Sequence, residues 1–67
     1  MQGWKFVYSS VHPHKIEIVM EVLLDQDIHT VKIDKRDSSY TMIGEIEVYC
    51  KEDDAILAKI IIDQNQL

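Results

Sequence analysis

Glu45-Ile46-Glu47-Val48-Tyr49-Cys50 alternates without a break. Ile46, Val48 and Cys50 share one phase, and Glu45, Glu47 and Tyr49 share the other. Successive side chains of a strand point to opposite faces, so this stretch reads as a half-buried strand with its aliphatic set turned inward. A strand of this kind needs a layer over its apolar face, and the rest of the chain supplies candidates.

Upstream, Asp34 to Gly44 is polar and turn-prone and reads as a loop. Before it, Ile28 to Asp34 reads as a second strand, with Val31 and Ile33 pointing one way and Thr30 and Lys32 the other. Further back, Ile16, Val19, Met20, Leu23 and Leu24 recur at helical spacing, with Glu17, Glu21 and Asp25 on the opposite side. Pro13 suits a first helical position, because its missing N–H would be unpaired there anyway. The spacing predicts a helix over Pro13 to Asp27. Trp4 to Ser9 alternates too, with Trp4, Phe6 and Tyr8 on one side and Lys5, Val7 and Ser9 on the other. It reads as the first strand. Downstream, Lys51-Glu52-Asp53-Asp54 places acidic groups where a helix dipole favours them. Ile56, Leu57, Ile60 and Ile61 are the expected buried stripe of the helix that follows.

The order is β-α-β-β-α. With a right-handed first crossover, the third strand falls between the first and second and antiparallel to both. The expected architecture is an α+β two-layer sandwich, a ferredoxin-like βαββα arrangement with a three-stranded sheet and two helices on one face. It lacks that fold's last strand, which leaves the first strand on an edge. Residues 1–67 are expected to form a single domain.

Composition narrows the function classes. Apolar residues make up 46% of the chain, too many for a disordered segment. The net charge of −5 disfavours nucleic acid and anionic membrane as partners. One cysteine, Cys50, cannot form an internal disulfide, so a cytoplasmic setting is expected.

The residues quoted so far also carry a resemblance. Trp4-Lys5-Phe6-Val7-Tyr8-Ser9-Ser10 leads into the helix Ile16 to Leu24. Asp37-Ser38-Ser39-Tyr40 follows in the loop. Gly44-Glu45-Ile46-Glu47-Val48-Tyr49, then Glu52-Asp53-Asp54-Ala55, closes the pattern. Together these stretches resemble the prokaryotic signal-transducing protein family, small bacterial domains similar in fold to the PII nitrogen-regulatory proteins. The resemblance spans nearly the whole chain. It implies a ferredoxin-like fold and a regulatory role. In PII proteins the loop between the second and third strands carries ligand and partner contacts. Residues 34–44 hold that place here, in a shorter loop with no glycine-rich phosphate cradle.

Two sets of residues are therefore expected to carry function. The loop offers Lys35 and Arg36 to a small anion, Asp37, Ser38 and Ser39 as hydrogen-bonding groups, and Tyr40 as a cover for a ring or a partner's apolar group. The same loop residues also suit a plain turn. The second set is an interface, Trp4, Phe6 and Tyr8 with Ile18 and Val22 on the helix flank. Ile18, Val22 and Ile62 lie off the expected stripes, and that surplus points to contact between copies, a homodimer first. Two readings follow: a regulatory module that takes a small anion or partner protein through the loop, or a structural module that self-associates through its β-edge without a ligand.

No cofactor, metal or catalytic residue is expected. His12, His14 and His29 do not stand at a recognised ligand spacing. Cys50 falls in the inward phase of its strand. The carboxylate pairs Glu45 with Glu47 and Glu17 with Glu21 fall on expected solvent faces.

Overall fold

A computed structural model describes residues 2–36 and 44–67. The elements run β1 (Trp4–Ser10), α1 (Pro13–Asp25), β2 (Thr30–Asp34), β3 (Ile46–Lys51), a 3-10 turn (Glu52–Asp54) and α2 (Ala55–Gln64). The sheet order is β1-β3-β2, and β3 is antiparallel to both neighbours. The fold is α+β, with both helices packed on one face of the sheet.

β3 is the middle strand, and its alternation sets the layers. Ile46, Val48 and Cys50 are buried under the helices. They meet Val7 of β1, Ile16, Val19 and Leu23 of α1, Ile28 before β2, and Ala55, Ala58, Ile61 and Ile62 of α2. Glu47 and Tyr49 take the opposite face, over which no element packs among the described residues.

β1 departs from simple alternation. Phe6 pairs with Tyr49 and Tyr8 pairs with Val48, so Val7 is an extra residue in the ladder, a β-bulge. The bulge brings Tyr8 opposite an inward residue of β3 and leaves Trp4 and Phe6 on the open face with Tyr49. Val7 is buried, and Tyr8 packs against the core. The expectation of Trp4, Phe6 and Tyr8 on one side is thus corrected at Tyr8.

α1 begins at Pro13, as the sequence predicts. The His12 carbonyl accepts from the Lys15 and Ile16 N–H groups, and Ser10 Oγ accepts from the His12 N–H at 3.0 Å. The helix ends two residues before the expected Asp27. Asp27 adopts a left-handed φ of 63°. The Ile28 N–H then reaches back to the Leu23 carbonyl and the Asp27 N–H to the Leu24 carbonyl, which closes a Schellman motif. Ile28 turns into the core beside Leu23. The buried stripe is Ile16, Val19 and Leu23, flanked by Met20 and Val22. Leu24, expected inside, is 54% exposed, and Val22, expected to be surplus, packs on the core.

α2 shows the largest correction. Its buried residues are Ala55, Ala58, Ile61 and Ile62, not Ile56, Leu57 and Ile60. Those three are 78%, 50% and 47% exposed. Ile62, expected to be surplus, is core. The physical reason is that two alanines facing the sheet let the helix backbone lie close to it. The helix also starts later, because Glu52–Asp54 form a 3-10 turn first.

Gly44 sits at φ +106°, where a Cβ would stand 2.2 Å from the Lys35 backbone oxygen. No side chain can yield there, so Gly44→Ala is expected to destabilise the fold by about 2 kcal/mol or more. Asp27→Gly acts oppositely. It relieves a left-handed L-residue, and the exposed Asp27 side chain makes only a 3.9 Å approach to His29. The expected gain is about 0.5–1 kcal/mol, or several degrees in the thermal midpoint of so small a domain. Chemical and thermal unfolding check both; an unchanged midpoint for Gly44→Ala would contradict the backbone geometry.

Candidate functional site

Lys35 and Arg36 at the start of the loop are both paired. Asp34 Oδ1 accepts from the Arg36 backbone N–H and Nε, each at 3.0 Å, and Oδ2 accepts from Nη2 at 2.8 Å. A two-residue spacing thus produces a turn and a bidentate ion pair at once. The Arg36 side chain, then its backbone N–H, holds the Asp34 carboxyl down at about 2. Lys35 Nζ lies 3.2 Å from Glu47 Oε1, and the Tyr49 hydroxyl donates to the same oxygen at 2.7 Å. Tyr49 first and Lys35 second lower the Glu47 carboxyl, and Glu47 in turn raises both the Lys35 ammonium and the Tyr49 phenol. An anion approaching Lys35 or Arg36 competes with a carboxylate that is already in place. The remaining loop candidates, Asp37, Ser38, Ser39 and Tyr40, lie outside the described residues.

The open face of the sheet is a second candidate. One row across it is Phe6, Tyr49 and Val31, set by the register of β1 and β2 on β3. Phe6 and Tyr49 meet edge to face, with ring centroids 6.0 Å apart. The next row is Ser9, Glu47 and Ile33. At one end Lys51 Nζ lies 5.0 Å from the Trp4 ring centroid, a cation–π contact. At the other end the Ser9 hydroxyl donates to Glu45 Oε1 at 3.2 Å. Phe6 is 45% exposed, and Trp4, Val31, Ile33 and Tyr49 are half-buried, with no element packed over them among the described residues.

The expected interface set therefore divides. Trp4 and Phe6 belong to the open face. Tyr8 lies on the helix side, where with Ile18, Val19, His14, Lys15 and Leu67 it lines a shallow cavity of about 220 Å³. Ile18 is exposed, and Val22 is half-buried against the core. Sequence reasoning did not group Val31, Ile33 and Tyr49 with Trp4 and Phe6. Their phases were readable, but which face lies under the helices is decided by tertiary packing.

The remaining polar groups offer little chemistry. Cys50 is buried, its thiol donates to the Lys51 carbonyl at 3.4 Å, and burial pushes its pKa up, away from a reactive thiolate. Glu17 accepts from Lys32 Nζ at 2.7 Å, which ties α1 to the edge strand β2. His12 and His14 stand side by side on the surface, with ring centroids 5.9 Å apart. Among the described residues no three of His, Cys, Asp and Glu gather into a metal-holding group.

No protein-family model, curated protein or solved structure matches the chain. The resemblance to the signal-transducing family rests on the residue patterns alone.

Asp34 and Glu47 both have folded-state pKa values below their ordinary ones. Such groups stabilise the fold fully above the unfolded-state values, and the contribution is lost as pH falls through the folded-state values. Stability is expected to decline as pH drops from about 5 toward about 2, with Asp34→Asn and Glu47→Gln flattening that slope. Denaturant titrations at stepped pH check this, and parallel curves for wild type and both variants would remove the two ion pairs from the account.

Proposed function

We propose that this chain is a non-enzymatic protein-interaction module that works by self-association. The observation that carries the reading is the sheet face over which no element packs among the described residues, with Trp4, Phe6, Val31, Ile33 and Tyr49 at its apolar centre. A chain of 67 residues buries only about 60% of the surface it exposes unfolded, and association is a common way to bury more. The sheet order β1-β3-β2 under two helices supports a ferredoxin-like arrangement without its last strand within these residues. The family resemblance supports a regulatory use of the module, and the single cysteine supports a cytoplasmic one. Among the described residues no helix is long and apolar enough to cross a membrane.

The β1 edge supports association less well than the face. The bulge at Val7 twists this edge, and the exposed Lys5 sits on it, two devices that discourage strand addition. The anion-binding loop has one supporting feature, the adjacency of Lys35 and Arg36, and each already has a carboxylate partner.

Sedimentation velocity and light scattering across a concentration series test the proposal. A reversible rise toward twice the chain mass is expected. A single mass of one chain throughout would sink it.

A further inference from the structure

We infer that the second copy docks on the open sheet face, sheet against sheet, with the two β3 strands running antiparallel across the interface. This rests on the self-association proposed above and adds the surface, the orientation and the pairs that fix it.

Charge points to this face. The chain carries −5 overall, yet on the open face Lys35 and Lys51 balance Glu45 and Glu47. The acidity sits on the helical layer instead, in Glu17, Glu21, Asp25, Glu52, Asp53, Asp54 and Asp63. The exposed stripe of α2, Ile56, Leu57 and Ile60, lies between the acidic turn Glu52–Asp54 and Asp63. The exposed Lys59 beside this stripe offsets only part of that acidity, so two copies meeting there antiparallel would bring the acidic turn of one toward Asp63 of the other. The open face has no such conflict.

Charge also sets the orientation. Along β3 and the residue just before it, the open-face side reads Glu45, Glu47, Tyr49, Lys51, from acidic to basic. Glu47 is internally paired, but Glu45 has only the Ser9 hydroxyl and Lys51 only the Trp4 ring among the described residues. A two-fold axis lying across the strands, between the Glu47 and Tyr49 rows, sets Lys51 of each copy over Glu45 of the other. The pair forms twice, as an isologous interface requires. A two-fold along the strands would put Lys51 over Lys51. The across-strand axis also lays Val31 of one copy against Ile33 of the other and Phe6 toward the second copy's Ser9. Packed sheets lie about 10 Å apart and cross at about 30°, within reach of these side chains.

The face is small. Three strands of 7, 5 and 6 residues make a patch roughly 10–15 Å wide and about 20 Å long, so each copy covers less than the ~800 Å² of a standard interface and the expected dimer is a weak, reversible one.

The test is the dimer dissociation constant of the full chain, from sedimentation equilibrium, with circular dichroism to confirm folding. Phe6→Glu places a charge in the apolar row of the interface, on its β1 flank, and is expected to weaken association about tenfold or more. Lys51→Glu and Glu45→Lys each set like charges together at two symmetric contacts, with an expected loss of about tenfold each. The double variant Glu45→Lys/Lys51→Glu is expected to recover to within about threefold of wild type. Within one chain these residues are roughly 20 Å apart along the strand, so recovery reports a contact between copies. Ile56→Glu/Ile60→Glu, on α2, is expected to leave the constant unchanged. If Phe6→Glu fails to fold, the charge pair decides alone, because Glu45 and Lys51 are both exposed. A double variant no tighter than its parents overturns the antiparallel stack. Dimers that survive Phe6→Glu but dissociate with Ile56→Glu/Ile60→Glu move the interface to α2 while self-association stands. A wild type that stays monomeric fails the self-association reading itself.

Discussion

Ile46, Val48 and Cys50 sit on the middle strand, beneath both helices, and every other element is placed by reference to them. β1 and β2 each pair with β3 and not with one another, so removing the central strand would leave no sheet. Its strict alternation has a second consequence. Because its aliphatic set is committed to the core, Glu45, Glu47, Tyr49 and Lys51 are directed to the other face. The residues that pair beside them, Phe6, Val31 and Ile33, must follow. The open apolar face is therefore not an accident of composition. It is the reverse side of the core.

The bulge at Val7 lets β1 serve both layers. An unbroken β1 would keep Tyr8 in phase with Trp4 and Phe6 and put a third aromatic ring on the open face. The extra residue instead turns Tyr8 to the helix side, where it packs beside Val7. The same irregularity disturbs the outer edge of β1. Across the sheet, Lys32 of β2 is held by Glu17 of α1, which places charge on the other edge. Both edges thus carry features that discourage strand addition.

How much of this was legible in the sequence follows from which signals are local. β3 was readable because burial and periodicity coincide in it. The stripe Ile16, Val19 and Leu23 was readable for the same reason. α2 was not, because its contacts with the sheet use Ala55 and Ala58, and a reading weighted toward large side chains points to Ile56, Leu57 and Ile60 instead. The bulge was invisible, since Trp4 to Tyr8 alternates on paper whether or not one residue drops out of the ladder. In the loop, the charges of Lys35 and Arg36 were plain, but their neutralisation was not. Asp34 lies two residues from Arg36 and could have been suspected. Glu47 reaches Lys35 only because β2 and β3 are neighbours.

That last contact joins the loop to the sheet face. Glu47 accepts from Lys35 and from Tyr49, and Tyr49 meets Phe6 edge to face. An anion that takes Lys35 leaves Glu47 held by the phenol alone, so a carboxylate loses its counter-charge on a face that is otherwise balanced. In the proposed stack of two copies that carboxylate would lie in the interface, where an uncompensated charge is costly to bury. Lys35 and the apolar row therefore do not act as separate features, because Glu47 touches both, whereas Arg36 is held apart by Asp34.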